Sequence, residues 1–387
     1  MTAFVPFGSV CTLQNGRAFK PSEWSEFGTP IVRIQNLNNE IKPFNYCNFE
    51  VESRFHIESG DLLFSWSGTP GTSFGAFFWN RGKAFLNQHI FRVDVNKSVT
   101  DKDFLRYAIN AKLNRIIDQA HGGVGLKHIT KGKLEAIEVF HPSLPEQKRI
   151  ASILDKADAI RRKRQQAIDL ADQFLRSVFL DMFGDPVTNP KGWDELVLKG
   201  IANIRSGVTK GKKIDPSTAV TFPYMRVANV QDGYLDLSDI QEITVSPSDA
   251  EKSKLIEGDI LLTEGGDPDK LGRGYVWHGE IENCIHQNHI FSVRIHDQGV
   301  VNPLFLSAVI ASQRGKRYFL KVGKQTTGIA TINKTVLSEF VPIIPPFDQQ
   351  MKYVAVVKKV QGIKGQHELA NMHLFESLSQ KAFTGQL

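Results

Sequence analysis

A chain of 387 residues, 41% hydrophobic and 23% charged, has the make-up of two or three globular domains of about 150 residues each, which excludes wholesale disorder. No run of about 18 uncharged apolar residues exists, which argues against a membrane-spanning helix, and the N-terminal stretch from Met1 to Gly8 does not read as a secretion signal. Lys and Arg number 47 against 41 Asp and Glu, a mild positive balance that suits a polyanionic partner.

In chain order, residues 1–144 read as a mixed segment rich in Gly, Asn and aromatics. Short runs at Ile31 to Ile34, Asp61 to Ser65 and His89 to Val93 look like strands set off by turn residues. One helix is expected from Thr100 to Ala120, with Thr100 and Asp103 as its capping pattern. His141-Pro-Ser-Leu-Pro145 then breaks the chain, and a long helical pattern fills residues 145–186. Its heptad positions fall on Ile150, Ile153, Ala157, Ile160, Arg164, Ala167, Ala171, Phe174 and Val178, an apolar seam interrupted only by Arg164. A second mixed segment covers 187–346, where Asn302-Pro303 should start the counterpart helix. A second long helix occupies 347–387, with seam positions Tyr353, Val356, Val360, Ile363, His367, Ala370 and Leu374. Gly362 and Gly365 should weaken it, and its offset from the first helix drops by three after Leu374, a stammer.

The second half therefore repeats the first. Leu13-Gln-Asn-Gly16 matches Ile204-Arg-Ser-Gly207, and Pro30-Ile-Val-Arg33-Ile-Gln-Asn36 matches Pro223-Tyr-Met-Arg226-Val-Ala-Asn229. Glu58-Ser-Gly-Asp61 matches Ile256-Glu-Gly-Asp259, Asn87-Gln-His89-Ile-Phe91 matches Gln287-Asn-His289-Ile-Phe291, and Gly125-Leu-Lys-His-Ile129 matches Gly328-Ile-Ala-Thr-Ile332. Five matches in one order indicate a duplicated α+β architecture.

Catalytic signatures are missing: there is no phosphate loop, nucleophile elbow or HExxH helix. Cys11, Cys47 and Cys284 are scattered, which argues against disulfides and zinc and favours a reducing cytoplasm. His286 and His289 near Cys284 read as strand residues, not metal ligands. Asp61 and Asp259, each after Gly, read as turns leading into strands.

Residues 1–144 carry 16 basic and 13 acidic groups and residues 187–346 carry 18 of each, so local clusters matter more than the totals. Lys210, Lys212 and Lys213 share one loop and are candidates for phosphate contact. Arg314 to Lys321 fits a solvated helix face equally well. Arg33 and Asn36, with Arg226 and Asn229, have the chemistry to read guanine and adenine edges, or else tie strand ends to loops in both halves. Loops that differ between the halves are better specificity candidates. These are Ser65, Trp66, Ser67 and Thr69 against Glu264 and Asp267, and the segment from His121 against Lys324, Gln325 and Thr326. Arg17, Lys20, Gln88, His89 and Lys127, with Asn288 and His289, complete the candidate contacts.

At this point the chain resembles the DNA-specificity subunit of type I restriction–modification systems. The resemblance rests on Leu144-Pro-Glu-Gln147-Lys-Arg-Ile150, on Phe183-Gly-Asp-Pro186, on Pro345-Pro-Phe-Asp-Gln-Gln350 and on Gly328-Ile-Ala-Thr-Ile332, and it spans essentially the whole chain. Gln349 stands where the first copy has Glu146. The resemblance implies two target recognition domains (1–144 and 187–346), each followed by a long helix, with the helices paired as an antiparallel coiled-coil spacer in a pseudo-two-fold repeat. It implies double-stranded DNA, two methyltransferase subunits and restriction subunits as partners. It also implies no cofactor in this chain: S-adenosylmethionine would sit in the methyltransferase subunits, ATP and magnesium in the restriction subunits. A DNA-independent coiled-coil scaffold and an autonomous nuclease or methyltransferase are the alternatives.

Overall fold

The computed structural model describes residues 4–39, 41–68, 74–122, 127–212, 214–266, 272–326, 329–369 and 372–387, and within these it leaves aside the side chains of 122, 324–326, 329, 365–369 and 372–373. The chain divides into two compact units: residues 1–166 with 366–387, and residues 167–365. Among the described residues no helix is long and apolar enough to cross a membrane.

In the first unit a four-stranded antiparallel sheet has the order Cys11–Asn15, Ile90–Val95, Leu62–Ser65, Gly75–Phe78. A second sheet sets Thr29–Val32 parallel to Ala84–Leu86. The expected strand at Ile31 to Ile34 is thus two elements, because Arg33 caps a helical turn at Ile34–Asn38. The second unit repeats the main sheet as Ala202–Ser206, Ile290–Ile295, Ile260–Thr263, Gly274–Val276. Gly16 and Gly207 hold one place in the two units. A Cβ at either would collide with a neighbouring backbone carbonyl, of Asn87 in one and His286 in the other.

The helix expected from Thr100 to Ala120 is two helices, Lys102–Asn110 and Leu113–Gln119. Its cap is Asp101, not Thr100, and the Asp101 carboxylate accepts the Phe104 N–H at 2.9 Å. Asn302 caps Pro303–Ala311 as its sequence indicates, accepting the Leu304 N–H at 2.9 Å.

The long helices are Leu144–Phe183 and Phe347–Leu369, the latter running unbroken through Gly362 and Gly365 and followed by Met372–Phe383. Residues 370–371, beside the expected stammer, lie outside the described residues, as does the His367 side chain. Each helix is anchored by a buried glutamine. Gln147 Oε1 accepts the Asp101 N–H at 2.8 Å and its amide donates to the Val99 and Pro142 carbonyls. Gln350 does the same with the Asn302 N–H at 2.9 Å and the Val300 and Pro345 carbonyls.

In the first unit Ile150 and Leu154, early in the first long helix, share a core with Ala382 and Phe383, at the end of Met372–Phe383. In the second unit Phe179 and Phe183 share a core with Tyr353, Val354 and Val357, and Lys364 meets Asp172 at 2.8 Å. Within each unit the helix segments are therefore antiparallel. The seam departs from the sequence pattern by one residue at 153, 167, 174 and 356. Ile150, Ala157, Tyr353 and Val360 are buried, and Arg164, Ala171 and Val178 are half-buried. Leu154 and Val357 are buried beside the half-buried Ile153 and Val356, Ile168 and Leu175 are half-buried beside the exposed Ala167 and Phe174, and Ile160, Ile363 and Leu374 are exposed. Apolar residues stand at both 153 and 154 and at both 356 and 357, so a heptad fits either. The helix starts must also cover the sheet-and-helix core of their own unit, which rotates the buried face toward Leu154 and Val357.

Candidate nucleic-acid interface

One turn organises each unit's candidate contacts. In the first unit the turn Asn87–His89 lies between strands Ala84–Leu86 and Ile90–Val95, and its Asn87 N–H donates to the Val32 carbonyl, beside Arg33. In the second unit the Gln287 N–H donates to the Met225 carbonyl, beside Arg226, and the Gln287 side chain accepts the Val227 N–H. Arg17 pairs as an isolated bridge with Asn87, as Val208 does with Gln287, which brings the start of the Lys210 loop to the second turn. The repeat thus gathers residues some 70 positions apart around a single histidine-bearing turn.

Arg33, Trp66, Gln88 and His89 come together in the first unit. The Arg33 guanidinium stacks over Trp24 and donates to Asn45 at 3.0 Å. Trp66 lies 5.3 Å from the His89 ring and stacks on Phe91 at 5.7 Å. Burial, with the Arg33 charge second, holds His89 below the ordinary imidazole range, so the ring is neutral near pH 7. Arg17 pairs with Glu23 and lies over Phe19 and Phe49, and Lys20 is exposed at the same turn. Lys127 is half-buried, its ammonium donating to the Ile117 carbonyl.

In the second unit Arg226, Glu264, Asn288 and His289 gather likewise. Arg226 pairs with Asp239 at 2.7 Å, and His289 Nδ1 meets Glu264 Oε2 at 2.5 Å. Lys210 is exposed, and Lys212 pairs with Asp249 at 3.1 Å. Thr69, Lys213 and Asp267 lie outside the described residues, as do the side chains of Lys324, Gln325 and Thr326, whose backbone forms a strand.

Four expected contacts are turned inward. Asn36 is fully buried: its Oδ1 accepts the Arg33 N–H and its amide donates to the Lys42 and Pro43 carbonyls. Asn229 does the same with Arg226, Asp236 and Asp239. The repeated Asn is therefore the loop tie, not a base reader, because its donors and acceptor are already satisfied. Ser65 and Ser67 are also buried, at 0% and 7% exposure. Arg314 is held by the Val341 and Pro186 carbonyls and by Glu195, so it is structural.

Asp61 and Asp259 close turns, accepting the Glu58 and Ile256 N–H groups, and Asp259 is further gripped by Arg294 at 2.7 and 2.8 Å. His286 is buried with Nδ1 on the Ser253 carbonyl, away from the exposed His289. Trp24 was missed. Its signal was an aromatic residue in the Pro21-Ser-Glu-Trp24 turn, between Lys20 and the Arg33 segment.

Residues 2–170 and 190–369 match the family described as type I restriction modification DNA specificity domain. The chain is 24% identical over 420 residues to the type I restriction enzyme EcoBI specificity subunit of Escherichia coli, covering 99% of this chain and 85% of that one. It is 24% identical over 418 residues to the StySPI specificity subunit of Salmonella potsdam, covering 100% and 89%. In fold it is similar to the crystal structure of a type-I restriction–modification S subunit from M. genitalium, with TM-score 0.55, 15% identity, and 99% and 96% of the two chains covered.

Proposed function

The chain belongs to the type I restriction–modification DNA specificity family, and from that premise we propose that each of its two units reads one half of a bipartite duplex site. The chain is the specificity subunit of such a complex, a non-catalytic role within it. The observation that carries the two-half reading is the repeated turn: one histidine, one arginine and one basic or polar flank, built twice on the same backbone with different neighbours. A shared frame docks each unit on the duplex in one manner, and unlike side chains in that frame select unlike sequences.

The long helices then act as an antiparallel coiled-coil spacer between the half-sites. Ala167, Leu170 and Phe174 are exposed on the first helix within the second unit at spacings of three and four, an apolar stripe on which a methyltransferase subunit docks. The methyltransferase subunits supply the S-adenosylmethionine chemistry on adenine, and restriction subunits with ATP and magnesium join them. The duplex, the methyltransferase subunits and the restriction subunits are the partners of this reading.

The test is a methylation map. The chain is co-expressed with its methyltransferase subunits and the host DNA is sequenced for modified adenines. A split motif that appears only when both are made is the expected result. No new methylation from an intact complex would sink the reading and favour the DNA-independent scaffold.

A further inference from the structure

Residue 66 of the first unit and residue 264 of the second occupy one backbone position. The Trp66 N–H donates to the His89 carbonyl and the Trp66 carbonyl accepts the Ile129 N–H; the Glu264 N–H donates to the His289 carbonyl and the Glu264 carbonyl accepts the Ile332 N–H. Each histidine is also preceded by a side-chain amide that reaches its Nε2: Gln88 at 2.9 Å and Asn288 at 3.4 Å. An amide N–H there donates to the ring lone pair, so Nδ1 carries the proton in both units. The units part at the next atom. In the second, Nδ1–H donates to the Glu264 carboxylate at 2.5 Å. In the first, Nδ1 is buried without a partner among the described residues, because Trp66 covers the ring where a carboxylate would stand.

We propose that position 66/264 is the selector of base chemistry in each unit, and that Glu264, held by His289, accepts a hydrogen bond from the exocyclic amino group of a cytosine or adenine. This rests on the two-half reading above and narrows it to one residue. A carboxylate accepts and never donates, so it favours the base edges that carry an amino group and repels the keto edges of guanine and thymine. His289 fixes the carboxylate's direction, and the pair is accessible, with side-chain exposures of 56% for His289 and 31% for Glu264. Trp66 packs partly buried against the core beside a neutral His89, with its Nε1 enclosed and no acceptor to offer, so the first unit makes a different selection from the same frame.

The experiment assembles the full chain with its methyltransferase subunits and measures methylation across a duplex library with both half-sites randomised. In the unaltered complex a split motif must appear; its absence would remove the two-half reading itself. Given that motif, Glu264→Ala, which removes the acceptor, is expected to relax discrimination at one C or A position of the second unit's half-site by about tenfold, and to leave the other half-site unchanged. Unchanged base preferences, or equal changes in both halves, would overturn the selector role while leaving the two-half reading intact. Should Glu264→Ala fail to assemble, Glu264→Asp retains the carboxylate but retracts it, and the same two outcomes decide.

Discussion

His286 is buried in the second unit, with its Nδ1 on the Ser253 carbonyl, at the place where the first unit carries Leu86. Burial, the largest cause, pushes its imidazole down to about 4 from an ordinary 6.5. The folded state therefore refuses a proton that the unfolded chain accepts. Stability is complete above about 6.5 and falls as pH drops from there toward about 4, where both states are protonated. His286→Leu should flatten that fall. Urea midpoints at pH 7 and pH 5 check it, and a drop as large in the variant as in the parent would refute it. The same residue shows where residue-scale reading ends. His286 and His289 looked alike in sequence, yet one is interior and the other exposed. Arg33 and Asn36 likewise stood together as candidate readers, and only burial separates the accessible arginine from the interior asparagine. Alternation along a strand names two faces but not which of them a second layer will cover.

The first long helix was legible in type and extent because heptads and proline breaks are local signals, as was the cap at Asn302-Pro303. The helix's facing was not. Both Ile153 and Leu154 satisfy an apolar repeat, and the choice between them is made by the core of the unit on which the helix starts. The correction has an energetic consequence. Leu154 is 0% exposed and Ile160 is 41% exposed. Leu154→Ala should cost about 2–5 kcal/mol through lost burial and a cavity. Ile160→Ala should stay within about 0.5 kcal/mol in the isolated chain. Denaturant unfolding of the two variants separates them, and equal losses would return the seam to the positions first read from the heptads. Gln147 and Gln350 explain why a glutamine follows the proline break in the first turn of both helices: each side-chain amide joins the helix start to the N-terminus of the helix that carries Asp101 or Asn302 as cap.

The duplication could be read across the whole chain because it is written in turns, glycines and histidines that local geometry demands twice. What distinguishes the halves is written in loops whose partners lie tens of residues away, so their pairing emerged only with the fold. Glu264 and His289, 25 residues apart, are the example. The same duplication places each long helix with its start in one unit and its end in the other, so the two units share two helical connections. If these connections set the distance between half-sites, adding one heptad to each helix preserves the seam, since seven residues return the apolar face to its place. It adds about 10 Å at 1.5 Å per residue. That is about three base pairs at 3.4 Å each. The expected methylation motif keeps both half-sites and gains about three unread base pairs between them. A motif of unchanged spacing from the lengthened chain, with both halves still methylated, would show that the units find their half-sites without the helices as a ruler.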